Sequence, residues 1–403
     1  REYGSVFCYR LIGISYRLVI TDVESLKRVL ISNPRDFHKP QTEIRLLRKI
    51  VGNGLLTVDG DDHVRHRKII SEAFHFDALK NLYPIFTSST ERIIRRWKRQ
   101  VSLQSNKVHE IDLKSEMSCL TLDIIGLAAF GYDFNAIEGN NSELRQAYLE
   151  LTPTAGSSLW MFFCRTYPLL YMLDLPSYYR ERQAEKVLRS TVKKIVRERM
   201  AQGGNCKDLL GLLIDATDNQ DPDRRLSEEE LIFNVQTFMV AGHETTGNAL
   251  SWAIYLLAGH RENQEKLRAE LSGKLQGRCP AVHELSDKHL PYLFAVMKEV
   301  LRLYPPAPIT FRTTTKDEVI QGNQVDKGTI MVVSPFLLGR SLELWDRPDD
   351  FWPERWLQAS PTKDDKHPFS WIPFLAGARQ CIGRNFAEKE FMAVLALLVQ
   401  NFR

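Results

Sequence analysis

A single stretch, Ser227 to Ala258, limits most severely what this chain can fold into. Ser227 followed by Glu230 spells a capping box, in which each side chain satisfies a free backbone N–H at a helix start. Beyond an acidic first turn the segment is apolar on nearly every face, which predicts one long, buried helix. At 1.5 Å per residue such a helix reaches roughly 45 Å, enough to cross a domain. Midway, Gly242-His243-Glu244-Thr245-Thr246 puts glycine and polar groups into that buried setting. The pattern predicts an interruption of the helix there, and an interruption needs a reason.

The remainder of the chain supplies a mostly helical body and a small β region. Residues up to about 40 alternate as strands do, as in Tyr16-Arg17-Leu18-Val19-Ile20. A long helical body follows from Pro40 to Leu303. Residues 305–335 change character, with Pro305-Pro306, Pro308 and a β-branched stretch from Ile330 to Val333. The last segment is rich in Trp, Pro and Gly, then turns helical near Asn385. A length of 403 residues alone would allow two or three domains. No repeat, low-complexity tract or flexible linker divides the chain, so the expectation is one domain over residues 1–403. It should be mainly α, with the β region drawn from the beginning and the later part.

Composition excludes several function classes. With 43% hydrophobic and 26% charged residues the chain is neither disordered nor fibrous. The net charge of +4 is small, and its basic residues sit among acids, which argues against a nucleic-acid partner. Cys8, Cys119, Cys164, Cys206, Cys279 and Cys381 form no Cys-x-x-Cys pair, against a zinc or thioredoxin-like centre. They suit a reducing compartment with mostly inert, buried thiols. The apolar run from Phe391 to Val399 is far short of the ~18 residues a spanning helix needs. Both ends read as internal sequence, so an anchor ahead of Arg1 would not be visible.

The densest chemical signal is Phe374-Leu-Ala-Gly377-Ala-Arg379-Gln-Cys381-Ile-Gly383. Gly377 and Gly383 allow a tight turn or close passage of the backbone past a flat ligand. Arg379 offers a permanent positive charge to an anionic group. Cys381 precedes a helix starting near Asn385, whose positive end is expected to favour thiolate over thiol. Thiolate ligation of haem iron favours O–O cleavage. Five fixed positions at roughly one in twenty each would arise by chance in about one chain in ten thousand. That disfavours the alternative of a merely small, buried cysteine.

This loop resembles the haem-binding loop of the cytochrome P450 family. Glu299-Val-Leu-Arg302 is similar to the family's Glu-x-x-Arg, an i,i+3 pair on one helix face. Phe351-Trp-Pro353-Glu-Arg355-Trp356 resembles the segment whose arginine joins that pair, with Trp356 where the family usually has Phe. The resemblance implies that Glu299, Arg302 and Arg355 form a buried, structural charge network. Ala241-Gly242-His243-Glu244-Thr245-Thr246 resembles the oxygen-activation motif. There the resemblance implies a widened helical turn over the iron, Thr245 hydrogen-bonding the activated oxygen or a water, and Glu244 relaying protons. The alternative for Thr245 is a bond back to its own helix.

The resemblance further implies haem b (iron protoporphyrin IX) with Cys381 as axial ligand. Phe374, Gly377, Arg379, Gly383, Ala241 and Gly242 would line it, and Arg379, Arg312 and Arg67 would hold its propionates. Gly60-Asp-Asp-His63-Val-Arg-His-Arg67 is similar to a helix that usually reads Trp-x-x-x-Arg, so His63 replaces the tryptophan as an N–H donor. His66 reads as an ordinary surface histidine. Two stretches would shape a pocket for a lipophilic substrate: Phe233, Thr237 and Val240 with Ala307, Ile309 and Thr310, and the aromatic run around Trp160 with Tyr167 and Tyr171, for which core packing is the alternative. Thr121 to Gly131 and Lys207-Asp-Leu-Leu also look like family helices.

In flavour the chain is similar to the membrane-bound, fungal-type branch of secondary metabolism. That likeness implies O₂ as co-substrate and electrons from an NADPH-dependent flavoprotein reductase, which Arg384 and Lys389 would help dock. It also implies attachment to the endoplasmic reticulum through an N-terminal anchor, and a closing C-terminal β hairpin, both outside the 403 residues. The reaction expected is insertion of one oxygen atom into a C–H or C=C bond. Two alternatives stay open: a reductase-independent isomerase or dehydratase, against which Glu244-Thr245 argues, and a non-catalytic haem protein.

Overall fold

The computed structural model describes residues 4–10, 16–74, 76–105, 108–139, 142–151, 176–202, 208–358 and 369–403. Seven strands are described: β1 (Val6–Tyr9), β2 (Arg17–Ile20), β3 (Phe37–His38), β4 (Thr310–Thr314), β5 (Glu318–Ile320), β6 (Asn323–Val325) and β7 (Ile330–Val333). Five form one sheet in the order β1-β2-β7-β4-β3, and β5-β6 is a separate hairpin. The beginning and the later part of the chain therefore do share one sheet. Its centre is the parallel pair β2–β7, Leu18 opposite Met331 and Val19 opposite Val332. All four residues of each strand are buried; seven of the eight are apolar, and the eighth, Arg17, is bonded to Glu43 Oε1 at 2.6 Å.

The helical body begins after short α1 (Val23–Lys27) with α2 (Gln41–Val51), α3 (Gly60–Ser71), α4 (Phe76–Leu103) and α5 (Leu113–Phe130). It continues through α6 (Ser142–Leu151), α7 (Pro176–Gln202), α8 (Leu209–Asp215), α9 (Glu228–Gly259), α10 (Arg261–Leu275) and α11 (Pro291–Leu303). One turn, α12 (Pro335–Leu338), precedes the last helix, α13 (Arg384–Asn401). One large apolar core joins the helices, and a smaller one lies between the sheet and α1.

The 32-residue α9 is the predicted long helix, started by the Ser227–Glu230 capping box. The predicted interruption at 242–246 is absent: α9 is continuous α-helix through that stretch. Its glycines serve helix packing instead. A Cβ on Gly242 would stand 2.6 Å from Ile125 Cγ1, and one on Gly247 3.0 Å from Thr121 Oγ1. Both contacts are with α5, whose backbone could not lie so close to a larger residue. The polar residues of α9 are likewise tied locally, with His243 Nδ1 2.7 Å from Met239 O.

Candidate active site

The loop ahead of α13 places Cys381. Its backbone N–H donates to Phe374 O at 2.8 Å, closing residues 374–381 into a compact turn. Gly377 sits at φ +70°, and a Cβ there would fall 2.1 Å from Leu30 O, so the turn demands glycine. The predicted closeness at Gly377 is thus to the chain's own backbone. Gly383 caps α13, and a Cβ there would meet nothing nearer than Phe74 at 3.8 Å. Phe374 is half-buried and meets Trp371 edge to face, with ring centroids 6.3 Å apart. The side chain of Cys381 is exposed although protein crowds around it, as expected of a group facing a concave space.

Burial pushes the Cys381 thiol above its ordinary value, while the Gly383 N–H, Arg67 and Arg384 pull it down. The expected thiolate bias from the helix end is therefore outweighed by desolvation. A bound metal deprotonates such a thiol outright. Among the other described cysteines, Cys8 is exposed and Cys119 and Cys279 are half-buried, so the expectation of mostly buried thiols does not describe Cys8.

Basic side chains from four separate elements gather beside this loop. Arg67 on α3 donates to Gln380 O at 2.8 Å, next to Cys381. Arg379 donates to Val58 O at 2.8 Å and bonds Asp59, the residue capping α3. Arg312 on β4 is buried, donates to Phe311 O at 2.7 Å, and leaves Nη2 without a hydrogen-bond partner. Lys39 and buried His63 complete the group, and Asp59 is the one carboxylate these groups feel among the described residues.

This crowding shows in every titration. Burial, then Arg379, Lys39 and Arg67, pushes His63 down to about 3, so its imidazole stays neutral and can donate an N–H. Burial and Arg379 push Arg312 down to about 10. Burial also raises Asp59, but the Lys39 backbone N–H and Arg379 hold it below its ordinary value. An excess of half-buried cations around buried Arg312, whose Nη2 is unpartnered, calls for an anion of more than one charge. The two carboxylates of haem, beside a cysteine ligand, fit that demand.

On α9, Thr245 donates to Ala241 O at 2.7 Å, the back-bond that the sequence left open as the alternative. Its oxygen still has lone pairs to accept a proton donor. Glu244 is partly exposed, with Oε2 3.6 Å from His243 Nε2. Thr121 of α5 donates to His243 O at 2.8 Å, an extra donor on a helix carbonyl in this very turn. Ala241 and Gly242 are both half-buried.

Glu299, Arg302 and Arg355 meet in one buried network. Arg302 makes two bonds of 2.8 Å to Glu299, and Arg355 Nε a third of 3.1 Å to Oε1. Trp356 turns out to belong to it: its indole N–H donates to Glu299 Oε2 at 2.9 Å, a bond phenylalanine could not make.

The substrate-pocket expectations fare unevenly. Phe233 packs its ring on Gly52 and under Arg189, at 5.4 Å. It lines a cleft of about 350 Å³ with Arg45, Arg48, Lys49, Glu185 and Gln236, which is charged where an apolar wall was expected. Thr237 is buried against Gly54 and donates to Phe233 O, and Val240 packs on the helical core. Ala307 and Ile309 are exposed apolar residues and Thr310 is half-buried. Residues 159–163, Tyr167, Tyr171 and Lys207 lie outside the described residues.

Sequence reasoning missed three participants. His66 is fully buried, Nε2 3.1 Å from Glu230 Oε1, and ties α3 to the start of α9, correcting its reading as a surface residue. Glu390 on α13 is buried beside Thr246, and burial raises it well above the ordinary carboxylate value. Lys39 carried no signal, since nothing in a sequence places residue 39 beside 312 and 379. A fourth, Asp59, also went unread, although aspartate before a glycine-led helix start is a common cap.

A loop cysteine ahead of a helix, with Arg67 beside it and Arg379, Arg312 and Lys39 grouped around Asp59, fits a haem-thiolate class of protein. Comparison with known proteins agrees with that geometry: the Cytochrome P450 family model matches residues 1–403. Cytochrome P450 monooxygenase ALT8 of Alternaria alternata is 31% identical over 98% of this chain and 76% of its own length. Cytochrome P450 monooxygenase 128 of Postia placenta is 33% identical over 96% and 77%. Cytochrome P450 4F5 of Rattus norvegicus is 34% identical over 91% and 71%. The chain belongs to the cytochrome P450 family, haem-thiolate monooxygenases that use O₂.

Proposed function

We propose that this enzyme oxygenates a lipophilic small molecule, by hydroxylation or epoxidation, with electrons from an NADPH-dependent flavoprotein reductase. The observation that carries the site assignment is the cationic group beside Cys381, with its unpartnered Arg312 Nη2. Cys381 would bind the haem iron through its sulfur. Arg67, Arg312, Arg379 and neutral His63 are assigned to the propionates, with Phe374 and Gly383 bordering the ring. When bound, haem would supply the redox-active iron for oxygen activation. The protein's share is binding, orientation and proton supply.

Thr245 holds a proton at Oγ1, parked on Ala241 O, and can turn it towards the site while accepting another. Glu244, partly exposed one residue earlier, can take protons from solvent. Exposed Ala307 and Ile309 after the proline turn support an apolar substrate wall. The joint helical core favours one catalytic domain spanning the chain. No helix among the described residues is long and apolar enough to cross a membrane. Attachment to the endoplasmic reticulum, through a segment outside these residues, is part of the proposal.

The test is the carbon monoxide difference spectrum of the dithionite-reduced protein. A strongly red-shifted Soret band supports the assignment; a histidine-type band, or no haem signal, overturns it. Within that reading, Thr245→Ala should keep consuming reductant while product per electron pair falls by up to about a hundredfold, the lower end of what a general acid–base group contributes. Peroxide or water should take up the difference. Full coupling in the variant would end the proton-handling role of Thr245.

A further inference from the structure

We propose that Lys39 is a further cofactor-binding residue of this site, holding a haem propionate beside Arg312. The proposal rests on the haem-thiolate reading above and adds to it a residue that no sequence motif marks.

β3 pairs with β4 antiparallel, Phe37 opposite Thr314 and His38 opposite Thr313. Continuing that register by one residue sets Lys39 opposite Arg312. Directly opposed residues of an antiparallel pair point to the same face, and like charges so placed are destabilising. Two cations opposed at the inner end of a two-residue pairing therefore need an anion between them.

The surroundings do not provide one in full. The Lys39 backbone N–H donates to Asp59 Oδ2 at 2.8 Å, and among the described residues its ammonium is bonded to the Leu56 carbonyl alone. Asp59 is already engaged by Arg379, with His38 3.6 Å away. Arg312 keeps a buried guanidinium nitrogen with no partner. Burial, Arg379 and Arg312 together push the Lys39 ammonium down to about 7, with Asp59 opposing them. His63 also lies in the field of Lys39. Charge counting points to what is missing. Lys39, Arg67, Arg312 and Arg379 carry four positive charges when protonated, Asp59 one negative. The thiolate is offset by the +1 core of ferric haem, and the two propionates cancel two of the three remaining positive charges.

Lys39→Met and Lys39→Arg holoenzymes test this, each compared with wild type in two ways. Haem loss to excess apomyoglobin should be faster in Lys39→Met by roughly tenfold or more, the factor carried by a charged hydrogen bond. The midpoint potential of the haem should move to more negative values, because a cation that disfavours the ferric state has gone. Lys39→Arg keeps the charge and should restore both. A merely structural lysine could alter haem retention but would not move the potential in step with charge. Wild-type retention and potential in Lys39→Met would overturn the proposal, as would a Lys39→Arg protein that behaves like Lys39→Met. A wild-type protein with no thiolate-type spectrum would instead overturn the reading on which it rests.

Discussion

Glu299→Ala should leave almost no haem-loaded protein, because it strands two buried guanidinium groups at once. Arg302 and Arg355 are among the largest fully buried side chains of the molecule, and Glu299 is the one carboxylate bonded to both among the described residues. Losing one partner from a buried ion pair costs about 3–5 kcal/mol, chiefly through the charge left behind. Here the cost is compounded. Glu299 also accepts the Trp352 backbone N–H at 2.9 Å and the Trp356 indole N–H at 2.9 Å, so alanine orphans donors on two further residues. Arg302 additionally donates to Pro348 O and Asp350 O, at 2.6 and 2.9 Å, so its displacement would loosen residues 348–352 as well.

The measurement is haem content and thermal unfolding of the purified variant beside Glu299→Gln. Glutamine keeps acceptor geometry on one oxygen and should fall between alanine and wild type. Trp356→Phe removes one bond to a charged acceptor and should cost about 1.5–3 kcal/mol. If Glu299→Ala expresses and loads haem normally, the network does not hold the fold.

How much of this was legible in the sequence depends on how local each signal is. The long helix α9 could be read because its capping box and apolar faces lie within one contiguous segment. The Glu299–Arg302 pair was legible for the same reason, one turn apart on α11. What failed was inference from a residue type to its geometry. The resemblance of the motif around Gly242 implied a widened turn, yet Ile125 of α5 accounts for the glycine, and no pattern in α9 reveals which helix will lie against it. His66 looked like a surface residue in a charged stretch, but its partners Glu230 and Asn234 come from more than 160 positions away. The thiol of Cys381 shows the same limit: the helix end beside it was visible, whereas the desolvation that outweighs it comes from the whole fold.

Cys381→Ser should separate two things the site does, holding the haem and setting its chemistry. The backbone of residue 381 is fixed by its bond to Phe374 O and by the turn through Gly377, neither of which involves the sulfur. The fold should therefore change little. The cations that would meet the propionates sit on α3, β4 and the loop itself and are untouched by the substitution. Haem should still be recovered, though less tightly, since a serine hydroxyl is a far poorer iron ligand than a thiolate. The red-shifted Soret band of the reduced, carbon monoxide-bound protein should be lost completely, and oxygenation of any substrate should fall to background. None of the other described cysteines can take over: Cys8 lies on strand β1, Cys119 is anchored in α5, and Cys279 points at Glu91. A thiolate-type spectrum surviving in Cys381→Ser would mean that the ligand comes from elsewhere in the chain. Loss of haem and fold together would show instead that the sulfur, and not the cationic edge, contributes most of the retention.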